Sequence, residues 1–326
     1  EAMEKIHLYL HEIDTNSLPY GLHTFGKPYD DDAAQSTLEL IEKQNPKADP
    51  KQIKQDLIGS AGFEMDRFIG ALAGRYVPAG EGNDPLRNLA AIPTGRNFYG
   101  FSPAKVPSRA AWEIGKRAAE QMIQAKLEKE GRYPQKVGVV LWATETTRNE
   151  GVNESTILSL MGVEPVWDKS ERVTGCRVIP GRSLGRPRID VLINPSGLYR
   201  DMFPEKLVFL DKAVQKAMAQ TDIENFLAGN KRRIKDALVA SGMDPAEADT
   251  QSRFRIFTEK PGSYGNGVEE MVGASGLWEA DDAISNVYLN RAQFAVGQGR
   301  WAVPVKSAFK ENLRDVDVAV HSRSTN

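Results

Sequence analysis

Two short apolar runs decide the fold, Lys136-Val-Gly-Val-Val-Leu-Trp142 and Ile189-Asp-Val-Leu-Ile-Asn194. Both are rich in β-branched residues and have the length of buried strands. Between them, Asn153-Glu-Ser-Thr-Ile-Leu-Ser-Leu-Met161 predicts a helix that ends at Gly162. The order of strand, polar segment, helix and strand predicts an α/β fold with a central, Rossmann-like parallel sheet.

A polar segment follows each predicted strand. The first is Ala143-Thr-Glu-Thr-Thr-Arg-Asn-Glu-Gly151, and the second is Pro195-Ser-Gly-Leu-Tyr-Arg-Asp-Met-Phe-Pro204. In open parallel sheets, ligands bind outside the carboxyl ends of the strands. The sequence therefore predicts that these two segments carry part of a binding site.

The composition is that of an ordinary globular protein and excludes several functional classes. Of 326 residues, 40% are hydrophobic and 26% are charged, with a net charge of -2. This balance argues against nucleic-acid binding, which needs a basic excess. No apolar run has the length of a transmembrane helix, and no signal peptide is recognisable. The single Cys176 excludes an internal disulfide and suits a reducing compartment, so we expect a cytoplasmic location.

The chain length predicts two or three domains. We expect a mainly helical region over residues 1–90 and an α/β domain over 91–220 that holds the parallel sheet. A mainly helical region over 221–326 would pack back on that sheet. The first residue is Glu1 within a helical pattern, and the last, Asn326, comes after a strand-like run. These ends predict an internal fragment of a longer protein.

One glycine-rich loop invites comparison with nucleotide sites. Pro261-Gly-Ser-Tyr-Gly-Asn-Gly267 precedes a predicted helix, and a glycine loop in that place can cradle phosphate. Its glycine spacing is neither the dinucleotide G-x-G-x-x-G pattern nor a P-loop, and the terminal Lys-Ser/Thr is missing. We therefore predict that this chain does not bind ATP.

Two further loops carry side chains suited to binding. Ile92-Pro-Thr-Gly-Arg-Asn-Phe-Tyr-Gly-Phe101 presents Arg96 and Asn97, and Arg96 can grip a carboxylate with two parallel hydrogen bonds. The alternative is an inter-domain linker in which Arg96 pairs with a surface acid. In Tyr20-Gly-Leu-His-Thr-Phe-Gly26, the flanking glycines place His23 on a constrained loop, where a structural role is the alternative.

These loops are among six segments that occur in an order typical of one family. The segments are residues 20–26, 92–99, 172–175, 184–191, 196–203 and 261–267. They resemble the large subunit of cobaltochelatase (CobN) and its relative, the H subunit of magnesium chelatase. The resemblance extends over nearly the whole chain.

The resemblance implies insertion of a divalent metal, Co²⁺ or Mg²⁺, into a tetrapyrrole, with cobalamin biosynthesis the leading context. This subunit would bind the macrocycle, while separate AAA+ partners use the ATP. The acidic, His-containing stretch that the family carries next is absent after His321. Residues 146–151 also depart from the Gly-Gly form usual in the cobalt enzymes. A non-catalytic or haem-handling relative that docks an AAA+ partner is therefore the alternative.

The chemistry of metal insertion selects candidate residues. Two pyrrole protons leave the macrocycle, so a base must stand near the ring. The catalytic candidates are His23, Glu145, Asp190 and Asp201. A macrocycle edged with carboxylates needs fixed donors, and the substrate-binding candidates are Arg96, Asn97, Arg148, Arg186, Ser196, Arg200 and Tyr264. The alternative for Arg186 with Asp190, and for Arg200 with Asp201, is a buried ion pair. The metal ligands stay unassigned from the sequence.

Overall fold

The computed structural model describes residues 23–44, 46, 48–86, 88–278 and 282–321. The chain forms two compact units, Glu1–Ser102 and Pro103–Asn326. The three-region division predicted from the sequence, with boundaries after residues 90 and 220, stays a prediction. Residues 20–22 of the predicted histidine loop lie outside the described residues.

The first unit combines two helices with a short parallel strand pair. Its elements are α1 (Asp31–Gln44), α2 (Pro50–Leu72), β1 (Gly80–Glu81), a 3-10 turn (Leu89–Ala91) and β2 (Asn97–Tyr99). Helix α2 begins where the Asp49 side chain accepts a hydrogen bond from the Lys51 amide, with Pro50 in the first turn. Leucines and isoleucines of both helices form the core with Ile92.

The second unit is built on a six-stranded sheet and a separate antiparallel pair. Its strands are β3 (Lys136–Leu141), β4 (Val163–Trp167), β5 (Val173–Val178), β6 (Asp190–Pro195), β7 (Ile256–Thr258), β8 (Phe294–Gly297), β9 (Arg300–Pro304) and β10 (Val318–Val320). The sheet order is β10-β3-β6-β7-β8-β9, and β4 pairs with β5. The first four strands of the sheet run parallel, while β8 and β9 join antiparallel.

Helices and 3-10 turns connect these strands. They are a 3-10 turn (Pro103–Lys105), α3 (Arg109–Glu130), α4 (Ala143–Asn149), α5 (Val152–Met161), α6 (Gly181–Leu184), α7 (Gly197–Met202), α8 (Pro204–Met218), α9 (Phe226–Ala240), α10 (Pro245–Gln251), α11 (Val268–Gly273), a 3-10 turn (Ser275–Leu277), α12 (Asp282–Arg291) and α13 (Lys306–Leu313). Helix α5 is buried along almost its whole length and packs against α3.

The predicted α/β class is confirmed, and so are the two strands from which it was inferred. Strands β3 and β6 pair in register from Lys136 opposite Asp190 to Leu141 opposite Pro195. Two details differ from the prediction. The polar segment after β3 forms helix α4, whose threonines are tolerated in a short helix that contains no glycine or proline. The C-terminal region also contributes four short strands to the sheet, which the sequence analysis did not place there.

One hydrophobic cluster anchors the C-terminal region to the sheet. Phe257 of β7 and Phe309 of α13 have ring centroids 4.9 Å apart, and both side chains are fully buried. Ile234 and Leu238 of α9 belong to the same cluster. Burying these large apolar side chains fixes β7 beside β6, and it thereby fixes the loop that leaves β7 at the end of the sheet.

Candidate functional site

Four parallel neighbours, β10, β3, β6 and β7, end at the same edge of the sheet. The residues directly after them are His321, Trp142, Ser196 and Glu259. The Trp142 and His321 rings meet edge to face, with their centroids 5.8 Å apart. This carboxyl edge, where ligands bind in open parallel sheets, thus presents aromatic, hydroxyl and carboxyl groups from successive strands.

Arg200 and Asp201 form the centre of this edge. The Arg200 Nε and Nη2 atoms donate to the two carboxylate oxygens of Asp201 at 2.7 and 3.0 Å. Arg200 Nη1 donates to the backbone carbonyls of Glu259 and Lys260 at 2.8 and 2.9 Å. The Arg200 side chain is buried, whereas that of Asp201 is 41% exposed. Arg200 therefore holds the loops after β6 and β7 together and leaves Asp201 facing solvent.

Tyr264 completes this group from the glycine-rich loop. Its hydroxyl donates to Asp201 Oδ2 at 2.8 Å, and its ring is exposed. The hydrogen bonds from Arg200 and Tyr264 hold the pKa of Asp201 below its ordinary value. Asp201 is thus an ionised acceptor near neutral pH, which suits it better to binding a donor than to abstracting a proton.

Ser196 and Glu259 hold the backbone at the start of α7. Ser196 Oγ accepts a hydrogen bond from the Tyr199 amide at 3.2 Å and caps the helix. Glu259 Oε2 accepts one from the Gly197 amide at 2.9 Å. Burial raises the pKa of Glu259. The sequence analysis missed Glu259, although its position directly after a strand is the signal that selected Ser196.

Glu145 and Arg148 lie on α4, after β3. Arg148 Nη2 pairs with Glu145 one helical turn away, and Asn149 Nδ2 donates to the same carboxylate at 3.1 Å. The Arg148 side chain is half exposed. Of the predicted residues, the carboxyl edge therefore brings together Glu145, Arg148, Ser196, Arg200, Asp201 and Tyr264.

Asp190 is a correction, because it lies at the opposite end of β6. Its side chain is fully buried and accepts hydrogen bonds from Arg255 Nε at 2.7 Å and Asn230 Nδ2 at 2.9 Å. Lys136 Nζ lies 3.3 Å from its second oxygen. Because both carboxylate oxygens are engaged in a sealed core, Asp190 is a structural anchor and not a catalytic candidate.

Arg186 is a second correction, because it lies just before the start of β6. Its guanidinium is buried and donates to Glu120 at 2.9 and 3.0 Å, and to the backbone carbonyls of Ser159 and Leu160 at 2.8 and 3.2 Å. Arg186 does not pair with Asp190, and its ionic partner Glu120 has a side chain that is 51% exposed. Arg186 therefore joins α3 to the end of α5 and lies away from the carboxyl edge.

The first unit contains a separate candidate site organised by Glu64 of α2. Its carboxylate accepts hydrogen bonds from Thr94 Oγ1 and the Gly26 amide, both at 2.6 Å, and lies 2.6 Å from His23 Nε2. The Glu64 side chain is almost completely buried. Burial pushes its pKa up, but the bonds from Gly26, Thr94 and His23 outweigh burial and lower it overall. Glu64 is therefore an ionised, buried carboxylate.

The sequence analysis missed Glu64 because it lies within the apolar stripe of helix α2. Ile53, Leu57 and Ala61 precede it on that buried stripe. A carboxylate that interrupts such a stripe costs free energy unless it is hydrogen-bonded, and this was the available signal. The predicted His23 contacts the Glu64 carboxylate, although Glu64 is 41 residues away in the sequence.

Glu64 borders a pocket of about 570 Å³ with mostly apolar walls. The wall residues include Phe25, Phe68, Tyr76 and Phe98, whose exposed fractions range from 50% to 86%. Arg96 also lines the pocket, and its guanidinium forms no hydrogen bond or ion pair with another described residue. The pocket thus combines aromatic faces with a free cation and a buried anion.

Asn97 lines the same pocket, but its side-chain amide is hydrogen-bonded to backbone groups. Its Nδ2 donates to the carbonyls of Glu81 and Ala91, both at 2.8 Å, and its Oδ1 accepts from the Gly95 amide at 3.1 Å. Both N–H donors of the amide are therefore used to hold the loop before β2. Of the two predicted donors in this loop, only Arg96 remains available to a ligand.

Comparison with known proteins identifies the family. The sequence profile of the CobN/Magnesium Chelatase family matches residues 42–326. The chain belongs to this family. One relative is the aerobic cobaltochelatase subunit CobN of Sinorhizobium sp. It is 34% identical over 275 residues, which cover 83% of this chain and 22% of that protein. The H subunit of magnesium chelatase from Chlorobaculum parvum is 33% identical, covering 79% of this chain and 20% of that protein.

A solved structure supports the same relationship. The catalytic subunit of cobaltochelatase from Mycobacterium tuberculosis matches with a TM-score of 0.63 and 31% identity, over 88% of this chain and 25% of that one. This CobN/magnesium chelatase family member therefore spans between a fifth and a quarter of the length of these relatives.

Preformed metal sites and membrane-spanning helices are both missing from the described part of the chain. Across those residues, no three or more His, Cys, Asp and Glu side chains converge as a metal site would require. The helices within the same residues lack the length and apolar character needed to cross a bilayer.

Proposed function

We propose that the chain is part of the tetrapyrrole-binding subunit of an ATP-dependent chelatase that inserts a divalent metal, cobalt, into a corrinoid or porphyrin-type macrocycle. The observation that carries this proposal is the aromatic pocket of about 570 Å³ bordered by Glu64 and Arg96. Its volume falls within the range of about 300–1,000 Å³ typical of small-molecule sites. The names of the cobaltochelatase and magnesium chelatase relatives support the same reaction class.

The pocket matches the chemistry of a tetrapyrrole. Such a macrocycle has two flat apolar faces, which the rings of Phe25, Phe68 and Phe98 can cover by stacking. Its edge carries carboxylates or amides, and the free guanidinium of Arg96 can bind a carboxylate with two parallel hydrogen bonds. Arg67 lines the same wall and is held by a bond from its Nη1 to the Thr94 carbonyl at 3.0 Å.

Glu64 and His23 supply the groups that metal insertion needs. As the metal enters, two pyrrole N–H protons must leave, and a carboxylate with a neighbouring imidazole can accept them. An ionised carboxylate is also an oxygen ligand of the kind that hard divalent cations prefer. We therefore assign to Glu64 the role of base or transient ligand for the incoming metal, with His23 as its partner.

The carboxyl edge of the second unit is a second, separate candidate site in this proposal. Asp201, Tyr264 and Arg148 have exposed side chains there and can bind amide or carboxylate substituents of a macrocycle. Arg200, Ser196 and Glu145 hold these groups in place. Asp201 acts in this arrangement as an acceptor, because its pKa lies below the ordinary value.

The remaining elements of the proposal concern metal, energy and partners. Magnesium is the alternative metal, given the magnesium chelatase relatives. The glycine loop of residues 261–267 lacks the P-loop spacing, so we assign ATP hydrolysis to AAA+ partner subunits in the cytoplasm. We expect that this chain binds macrocycle but inserts no metal without those partners.

A fluorescence-quenching titration of the chain with hydrogenobyrinic acid diamide, protoporphyrin and haem tests the proposal. We expect saturable binding that Arg96→Ala weakens by about tenfold, the loss of one charge-assisted contact. Glu64→Gln should change affinity much less, because it removes a charge used in metal insertion more than in docking. Tight binding of haem alone would favour the non-catalytic, haem-handling relative.

The matched control is Arg117→Ala, which removes an exposed arginine of α3 outside both candidate sites. Its titration curve should overlay that of the unmodified chain. Equal weakening by the Arg96 and Arg117 substitutions would assign the binding to general charge attraction, and absence of binding to all three macrocycles would refute a tetrapyrrole site on this chain.

A further inference from the structure

A buried carboxyl group connects two helices of the carboxyl edge. We propose that Glu154 is a positioning residue, which joins α4 to α7 and so sets the spacing between the binding side chains that these helices carry. This inference rests on the proposed function for its consequence, but the connection itself can be tested without any ligand.

The connection consists of two short hydrogen bonds to one oxygen atom. Glu154 Oε1 accepts from Thr146 Oγ1 at 2.7 Å and from the Tyr199 hydroxyl at 2.8 Å. Thr146 lies on α4, which comes after β3, and Tyr199 lies on α7, which comes after β6. Glu154 itself lies in the first turn of α5, so three elements meet at one carboxyl group.

The neighbours of the two donors in the sequence give the connection its significance. Thr146 directly follows Glu145, the partner of Arg148, and Tyr199 directly precedes Arg200, the partner of Asp201. Both donor side chains are almost completely buried, with exposed fractions of 2% and 0%. A shift of either donor would therefore move an exposed binding group on the same turn of helix.

The surroundings of Glu154 make its burial costly in stability. It is 1% exposed, and its Oε2 atom has no hydrogen-bond partner among the described residues. An unsatisfied buried oxygen costs stability, and an apolar residue of similar size would avoid that cost. The carboxyl group is thus poorly explained by stability alone, whereas an oxygen that accepts from two separate helices explains its place.

The charge state of the group fits this role. Burial raises the pKa of Glu154, and burial together with Glu154 raises the pKa of Tyr199 well above its ordinary value. Lys206 of α8 opposes the first effect by favouring the ionised carboxylate, but burial lowers the pKa of Lys206 itself to about 8. Its Nζ donates to the Val106 carbonyl at 2.6 Å. Oε1 can accept both bonds whether or not Oε2 carries a proton.

Hydrogen exchange measured on the ligand-free chain tests the connection. Tyr199→Phe removes a bond on α7, and we expect amides of residues 143–149 on α4 to exchange roughly three- to tenfold faster, as loss of one hydrogen bond implies. Thr146→Val should have the reciprocal effect on residues 197–202. Glu154→Gln keeps an acceptor oxygen in place, so it should preserve protection in both helices.

Two controls separate positioning from a general loss of stability. Thr250→Val removes the same type of hydroxyl from α10 and should leave α4 and α7 unchanged. Among the described residues, that hydroxyl donates only to the Ala246 carbonyl of its own helix. Global unfolding is monitored by denaturant titration of each variant. Faster exchange spread evenly over the second unit, or unchanged exchange across the connection in Tyr199→Phe, would overturn the proposal.

The ligand titration then tests the consequence. Tyr199→Phe and Thr146→Val should each weaken tetrapyrrole binding by severalfold, while Glu154→Gln should bind with the same affinity as the unmodified chain. If exchange is coupled between α4 and α7 but no macrocycle binds, the connection is supported and the proposed function fails. If macrocycles bind and the helices exchange independently, Glu154 has no positioning role.

Discussion

At the scale of single residues, the buried charges at the start of the sheet show how position decides the role of an ionisable group. Asp190 is held between Arg255 and Lys136, all three fully buried. Two cations share one carboxylate, so the cluster carries excess positive charge inside the protein. Burial accordingly lowers the pKa of Lys136 from 10.5 to about 8.

This shift predicts a pH dependence of stability. Between about pH 8 and 10.5 the unfolded chain binds the Lys136 proton more tightly than the folded chain does. The free energy of unfolding should therefore rise with pH across this window, by up to about 3 kcal/mol from this residue. Urea titrations at intervals of pH measure it.

The comparison variant is Lys136→Met, which keeps the length of the side chain and removes the titrating group. Its unfolding free energy should rise less steeply over the same pH window. A parallel pair of curves for the two proteins would mean that Lys136 keeps its ordinary pKa. Other buried groups, Lys206 among them, titrate in the same pH range. Only the difference between the two curves therefore reports on Lys136.

At the scale of secondary-structure elements, the crossing of α3 and α5 depends on a glycine. A Cβ atom added at Gly115 would overlap the Ser155 side chain and lie 2.6 Å from the Val152 carbonyl oxygen. Both obstacles belong to α5, and one of them is backbone, so the helices would have to separate. Close packing there holds α5, and with it Glu154, against the sheet.

We therefore expect Gly115→Ala to destabilise the second unit by about 1–3 kcal/mol, the usual cost of overpacking. Thermal and denaturant unfolding measure the effect. The matched control is Gly229→Ala in α9, where an added Cβ meets nothing within 4 Å. Alanine is the better helix former, so that change should stabilise by up to about 1 kcal/mol. Equal effects at both positions would contradict the crossing argument.

The same scale shows what a sequence can and cannot reveal here. Strands β3 and β6 were predictable because β-branched runs leave few alternatives. The position of Ser196 and Asp201 at the carboxyl edge was predictable, because both closely follow a predicted parallel strand. Asp190 looked equally suitable, but its role depends on Arg255, which is 65 residues away and meets it only through strand pairing. Glu64 was hidden for a similar reason, since Thr94 and His23 reach it from distant loops.

At the scale of the whole molecule, the chain divides after Ser102. Each unit has its own hydrophobic cluster, that of the first around Leu57 and that of the second around Phe257. We expect residues 103–326 expressed alone to fold, because every strand of the six-stranded sheet belongs to that unit. Far-ultraviolet circular dichroism and denaturant titration should show one cooperative transition.

The excised unit also tests where macrocycle contacts lie. It lacks the aromatic pocket of the first unit, so its tetrapyrrole affinity should fall by at least about tenfold relative to the whole chain, if the pocket supplies the contacts that we assign to it. An excised unit that aggregates would contradict the independence of the two units. One that folds and keeps full affinity would move the binding site to the carboxyl edge.

The position of β10 sets the order in which this protein can be completed during synthesis. Strand β3 is made early, but its neighbour on one side is β10, with Val137 opposite Val318. The ribosome must therefore release almost the whole unit before β3 is covered on both edges. Until then an apolar strand edge stays open to other chains, and contacts so distant in the sequence form slowly. Nascent chains of this protein should accordingly depend on chaperones until β10 emerges.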